Sequence, residues 1–169
     1  NPAVADWAPA TLAAGIGRVG DWVGRALRCI FLDRSAYAEV VADPYMTGPA
    51  LLIPLLLLFV QSLVDNRGFD LLQLLNETVF YFLGVAIVFA AGWLLTRKGN
   101  FTKTFRAMGF ASAVLVLAPL TLLPAMGPTV NPLLTLLFFV AVWMGAMAAH
   151  RVRGWRALLL PIVAVVVIV

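Results

Sequence analysis

Long apolar stretches set the pattern of this chain, and short polar ones punctuate it. Residues 44–64, 78–96 and 107–150 contain no Asp, Glu, Lys or Arg. A helix crosses a ~30 Å hydrocarbon core with about 20 apolar residues, so the last of these windows is long enough for two crossings. A further apolar run, 157–169, ends the sequence. At ~1.5 Å per residue it falls short of a full crossing, so more C-terminal residues or an end among the far headgroups is expected. The pattern predicts five transmembrane helices, at about 47–64, 71–96, 103–123, 133–149 and 157–169, in an all-α polytopic bundle.

Between the spans the punctuation is consistent. Asp65-Asn66-Arg67-Gly68-Phe69-Asp70 reads as a polar turn, and Lys98-Gly99 supplies a basic last turn with a glycine stop. Residues 124–132 carry three prolines and read as a tight hairpin. Pro54 and Pro119 fall inside predicted spans, where each removes a ladder donor and should kink its helix.

Before the first span the period is still helical but the character changes. Leu12, Ile16, Val19, Val23, Leu27 and Ile30 share one face, and Arg18, Asp21, Arg25 and Arg28 share another. Asp21 and Arg25 stand four apart in the favourable acid-first order. This predicts an amphipathic helix over 12–30, suited to the membrane interface or to packing on the bundle. A short helix at 34–42 should end before Asp43-Pro44, because the residue preceding proline is pushed out of the α region. The chain thus divides into an interfacial or cytoplasmic segment, 1–43, and a membrane domain, 44–169. Gly20 and Gly24 match a glycine-pair spacing, but on a charged face that carries no weight.

Composition agrees with the pattern. Hydrophobic residues make up 63% and charged residues 12%, against roughly 45–50% and ~25% in soluble proteins. The net charge of +4 would prompt a search for nucleic acid in a soluble chain, yet no aromatic-interleaved basic surface is available for it. Membrane topology accounts for the cations better. With five spans, Arg18, Arg25, Arg28, Arg34, Arg97, Lys98, Lys103, Arg106, Arg151, Arg153 and Arg156 share one side, and only Arg67 lies on the other. Positive residues stay inside, so the N-terminus is expected in the cytoplasm and the C-terminus outside. The absence of Met at Asn1 leads us to expect that the natural chain starts upstream. Cys29 is the single cysteine, which excludes a disulfide within this sequence and a cysteine-rich metal site.

Packing faces are legible as well. Phe105, Gly109 and Ala113 recur on the third span, Ala141, Gly145 and Ala149 on the fourth, and Gly84 and Gly92 on the second. Small residues at such spacing let membrane helices approach closely.

Candidates for chemistry are few. His150 stands alone at the basic end of the fourth span, and metal sites need several converging ligands. Glu77 is the one acid placed to reach membrane depth, with Asn76 and Gln61 as prospective neighbours; an intramembrane acid is by default a candidate polar site. Arg97, Lys98, Lys103, Arg106, Arg151, Arg153 and Arg156 come from two loops on one side and are expected to contact anionic lipid headgroups of the cytoplasmic leaflet. No catalytic set, metal site or cofactor is expected.

Two stretches resemble the Yip family, membrane proteins named for interaction with Ypt/Rab GTPases, and most closely its bacterial branch. One is Asp43-Pro44-Tyr45-Met46-Thr47-Gly48-Pro49, similar to the family's acid and Gly-Pro lead into the first span. The other is Gly99-x-Phe101-x3-Phe105-Arg106-x2-Gly109-Phe110, similar to its cytosolic turn into the third. The likeness runs in order over about 28–169. It implies a five-span bundle with a cytosolic N-terminus and work through protein contacts rather than catalysis. Ten Arg against two Lys suits a GC-rich bacterial genome, and hence a bacterial inner membrane. The expected function is that of a non-catalytic scaffold or accessory subunit of a larger membrane assembly, or of a membrane-organisation factor, with a membrane-protein partner or a homo-oligomer expected. The alternative is a small transporter or channel built on Glu77, Asn76 and the proline kinks.

Overall fold

In the computed structural model, residues 5–64, 71–97, 99–122 and 127–152 are described, and among them seven α-helices and two 3-10 segments account for nearly all. No strand occurs among the described residues. Four helices are long and apolar enough to cross a membrane: Pro44–Gln61, Leu71–Thr96, Phe101–Thr121 and Gly127–His150. The expected fifth span, 157–169, lies outside the described residues.

The N-terminal period is split in two. Helix α1 (Pro9–Gly17) and helix α2 (Val19–Ile30) are separated at Arg18, with φ −84° and ψ 54°. A single helix over 12–30 was the expectation, but Gly17 and Gly20 flank the joint with weak helix propensity. Trp22 Nε1 donates to Ile16 O at 3.1 Å across the break. The Arg18 guanidinium sits 4.0 Å from the Tyr45 ring centroid. The break lets α1 lie against the start of the first span, where Gly15 abuts Tyr45 O and Gly48 abuts Leu12 O. Any Cβ at either glycine would overlap that backbone, so the two chains meet only because both are Gly.

Helix α2 ends in a Schellman turn. Leu32 takes φ 59°, Leu32 N donates to Cys29 O and Asp33 N donates to Arg28 O, each at 3.0 Å. Asp33 then caps helix α3 (Arg34–Ala42), accepting from Ser35 N at 2.8 Å and Ser35 Oγ at 2.7 Å. As expected, α3 stops ahead of Asp43-Pro44. Asp43 accepts from Tyr45 N at 3.0 Å, opening a 3-10 turn (Pro44–Met46) that leads into helix α4 (Thr47–Val64) with Pro54 inside.

Helix α5 (Leu71–Thr96) matches its expected bounds. It closes with Arg97 at φ 52° and Gly99 at φ 119°, a region that suits glycine. Asn100 caps helix α6 (Phe101–Ala111), accepting from Thr102 N at 2.8 Å. The third span then departs from expectation. From Ser112 to Leu122 it continues as a 3-10 helix instead of a kinked α-helix. Pro119 cannot donate and crowds the preceding turn, and Ser112 and Thr121 hydroxyls donate to the carbonyls three residues back, Gly109 O at 2.6 Å and Ala118 O at 2.7 Å.

Helix α7 (Gly127–His150) begins inside the predicted hairpin. Prolines in a first turn cost little, because those N–H groups have no helical acceptor; Pro128 takes that place, and Pro132 follows within the next turn. The helix ends in a second Schellman turn, with Arg151 at φ 53° and Val152 N donating to Met147 O at 3.2 Å.

The third span is the hub. It is 61% buried, against 22% for Leu71–Thr96. Its small residues make the crossings: Gly109 lies on Ala50, and a Cβ on Gly145 would stand 3.2 Å from that of Ala107. The outward surface carries large apolar side chains, among them Leu72, Val79 and Leu136. Buried positions hold small and polar residues such as Ala141, Thr47 and Ser112 beside large ones such as Phe105 and Phe110. That distribution suits hydrocarbon outside and close helix contact within.

Candidate functional site

The cluster with most chemistry lies at the end of the bundle that carries Gly99 and the Asn100 cap of α6. Arg106, on α6, is 2% exposed. Its Nε donates to Thr47 Oγ1 at 2.8 Å and its Nη1 donates to Val41 O at 3.1 Å. Its Nη2 pairs with Asp6 Oδ2 at 2.6 Å. Thr47 passes its own proton to Pro44 O at 2.9 Å. One guanidinium therefore ties α6 to the N-terminal segment, to the end of α3 and to the start of α4. A buried cation requires such matching, since an unpaired one costs several kcal/mol.

Arg106 was expected among the lipid-contacting cations, and the structure corrects this. Its head group is enclosed by protein, so headgroups cannot reach it. Arg97 and Arg151 are exposed, with the Arg97 guanidinium 4.6 Å from the Trp93 ring centroid, and Lys103 is half-buried. Lys98, Arg153 and Arg156 lie outside the described residues.

Trp7 adds to the same lock. Its Nε1 donates to Thr102 Oγ1 at 3.0 Å, and its ring centroid lies 4.9 Å from that of Phe105. Phe105 also stacks on Phe82 of α5 at 5.6 Å. The two stretches singled out in the sequence thus meet in space: Thr47 binds Arg106, and Gly109 seats Ala50. Asp43 turns outward from this contact to Arg25, 2.7 Å away.

His150 is a further buried polar group, 1% exposed at the end of α7. Its Nε2 stands 3.2 Å from Thr104 Oγ1. The imidazole fits because Gly92 and Gly99 leave room; a Cβ at either would strike the ring. Gly92 was expected to serve helix packing, and it does so by receiving this side chain. Gly84, expected on the same face, has no atom within 4 Å of the position a Cβ would take.

On α2 and α3 an ion network joins the two helices. Arg25 pairs with Asp43 and with Glu39 at 3.5 Å, where the i,i+4 partner Asp21 was expected. Arg28 reaches Asp33 at 2.8 Å and Glu39 at 3.0 Å. Hydrogen bonds from Ser35, then from Arg28, lower the Asp33 carboxyl to about 2, and Glu39 followed by Asp33 raises the Arg28 guanidinium. Cys29 is fully enclosed, and burial pushes its thiol up to about 12. Burial likewise raises the Tyr37 phenol, which donates to Cys29 O at 3.2 Å.

Glu77 is half-buried and accepts from Gln73 Nε2 at 2.9 Å, one turn back on its own helix. Asn76 is exposed. Among the described residues no group of three His, Cys, Asp or Glu is placed to hold a metal ion. Sequence reasoning missed Asp6 and Trp7, whose partners lie about a hundred positions away, and gave Thr47 no role of its own, because nothing local marks a residue whose partner lies 59 positions off.

No family model matches the chain, and neither a curated protein nor a solved structure does. Among the described residues the fold is all-helical, with four helices suited to crossing a membrane.

Proposed function

We propose that the chain is a non-enzymatic integral membrane protein that serves as a scaffold or accessory subunit of a larger membrane assembly. The observation that carries this reading is where the interior polar groups go. Arg106 is engaged by Asp6, Thr47 and Val41, and His150 lies against Thr104 between two glycines. Groups held in this way fix helices to one another instead of meeting a substrate.

The remaining features fit such a role. A fifth span at 157–169 would complete a Yip-like bundle with a cytoplasmic N-terminus in a bacterial inner membrane. Val19, Val23, Leu27 and Phe31 are exposed along α2, with Phe31 at 82%, and would lie in the interface. Arg97, Lys103 and Arg151 would meet anionic headgroups. The partner is a membrane protein or a second copy of the chain. Crosslinking in the native membrane, followed by gentle isolation and mass spectrometry of the intact complex, tests this. A stoichiometric partner is the expected result; a monomer without crosslinked neighbours sinks the reading.

A further inference from the structure

An apolar cavity of about 500 Å³ lies between the four candidate spans. Each contributes to its wall: Leu57 from α4, Gly84 from α5, Leu115 from the third span and Phe138 from α7. Met108 and Val142, both buried, also line it. No charged residue lines it. Two hydroxyls of the wall are committed to their own helices, Ser112 to Gly109 O and Thr135 to Asn131 O.

The volume falls in the ~300–1,000 Å³ range of ligand sites. Apolar cavities of this kind stay dry and take up hydrocarbon. Gln61 and Tyr81 add one amide and one phenol to the wall, but no charged side chain among the described residues is there to balance the charge of a headgroup, so the head stays outside. At this depth in a bundle suited to crossing a bilayer, the matched molecule at hand is a lipid's hydrocarbon chain. Gly84 borders the cavity, and a Cβ there would point into open space.

We propose that this cavity is a binding site for the hydrocarbon chain of a membrane lipid, entered from the bilayer and gated in size by Gly84. The chain can be acyl or prenyl, since both offer uncharged hydrocarbon. The full chain is reconstituted in phosphatidylglycerol vesicles with either a phosphatidylglycerol bearing a terminal acyl diazirine or a polyprenol bearing the same group. Adducts are then mapped by mass spectrometry. Leu115 and Phe138 should be labelled by at least one probe, and the probe that labels them identifies the source. Gly84→Leu should lower that labelling about tenfold, leaving the exposed Leu136 and Val79 labelled as before. Gly84→Ala, a smaller intrusion, should give an intermediate yield; circular dichroism of both variants should match the parent. The proposal is overturned if neither probe labels Leu115 or Phe138, or if Gly84→Leu leaves their yields unchanged.

Discussion

Arg106 Nε donates to Thr47 Oγ1 at 2.8 Å, across 59 positions of sequence. The bond joins the start of the first span to the first turns of the third, and it lies out of water. Thr47→Val keeps the side-chain shape but leaves Nε without its acceptor. We expect a loss of about 1–3 kcal/mol, the desolvation of one buried donor. Thr47→Ser should retain most of the stability. Unfolding in mixed micelles by a denaturant series compares them.

The helix crossings make a second, steric prediction. Gly109 rests on Ala50 so closely that a Cβ would overlap backbone, which a side-chain rotation cannot relieve. Gly109→Ala should therefore cost about 1–3 kcal/mol despite alanine's better helix propensity. Gly84→Ala, in the open position, should be neutral or stabilising by up to about 1 kcal/mol. Equal effects at the two sites would show that the crossing is not where the structure puts it.

These contrasts mark how far the sequence could be read. Helix bounds were legible where local chemistry decides them: Asp43-Pro44 ended α3, and the polar turn and the basic glycine stop bounded α5. The small-residue faces were legible too, because close packing needs small residues at helical spacing. The role of each glycine was not, since Gly92 receives a histidine 58 positions away and Gly84 borders a void. Arg106 was misread because charge alone cannot tell a headgroup contact from a buried pair; the difference lies with Asp6, distant in sequence. The 3-10 stretch after Ala111 was hidden as well, because its apolar residues fit either helix.

Titration of the α2–α3 pair gives two further expectations. Cys29 has its thiol raised to about 12 by burial, so the folded state holds the proton more tightly than the unfolded one, whose thiol titrates near ~8.5. Its contribution is complete below that unfolded value and is lost as pH rises through it toward the folded one. A maleimide at pH 8 should label Cys29 only after denaturation. Rapid labelling of the folded protein would contradict the buried position.

Asp33 behaves in the opposite sense. Its carboxyl is lowered to about 2 by Ser35 and Arg28, below the ~3.9 of an unfolded aspartate. The stabilisation it confers on α3 is present above ~3.9 and is lost as pH falls through about 2. Hydrogen exchange of the α3 amides should accelerate over that window, and Asp33→Asn should abolish the acid transition. An exchange rate independent of pH below 4, after correction for intrinsic rates, would remove the capping role.

Tyr81 offers a test of the interior. Its hydroxyl is buried without a partner, so Tyr81→Phe should leave stability unchanged or raise it by about 1 kcal/mol. A clear loss would mean that the phenol has a partner supplied by a bound molecule.

The Asp6–Arg106 pair holds the N-terminal segment to the third span. A double-mutant cycle on Asp6 and Arg106, using Asp6→Asn, Arg106→Met and the pair, measures it most directly. Each single variant should lose about 2 kcal/mol or more, and the pair should lose less than their sum, with a coupling of about 1.5 kcal/mol or more. Additivity within ~0.5 kcal/mol would mean that the two groups do not act on one another, and the lock described here would not exist.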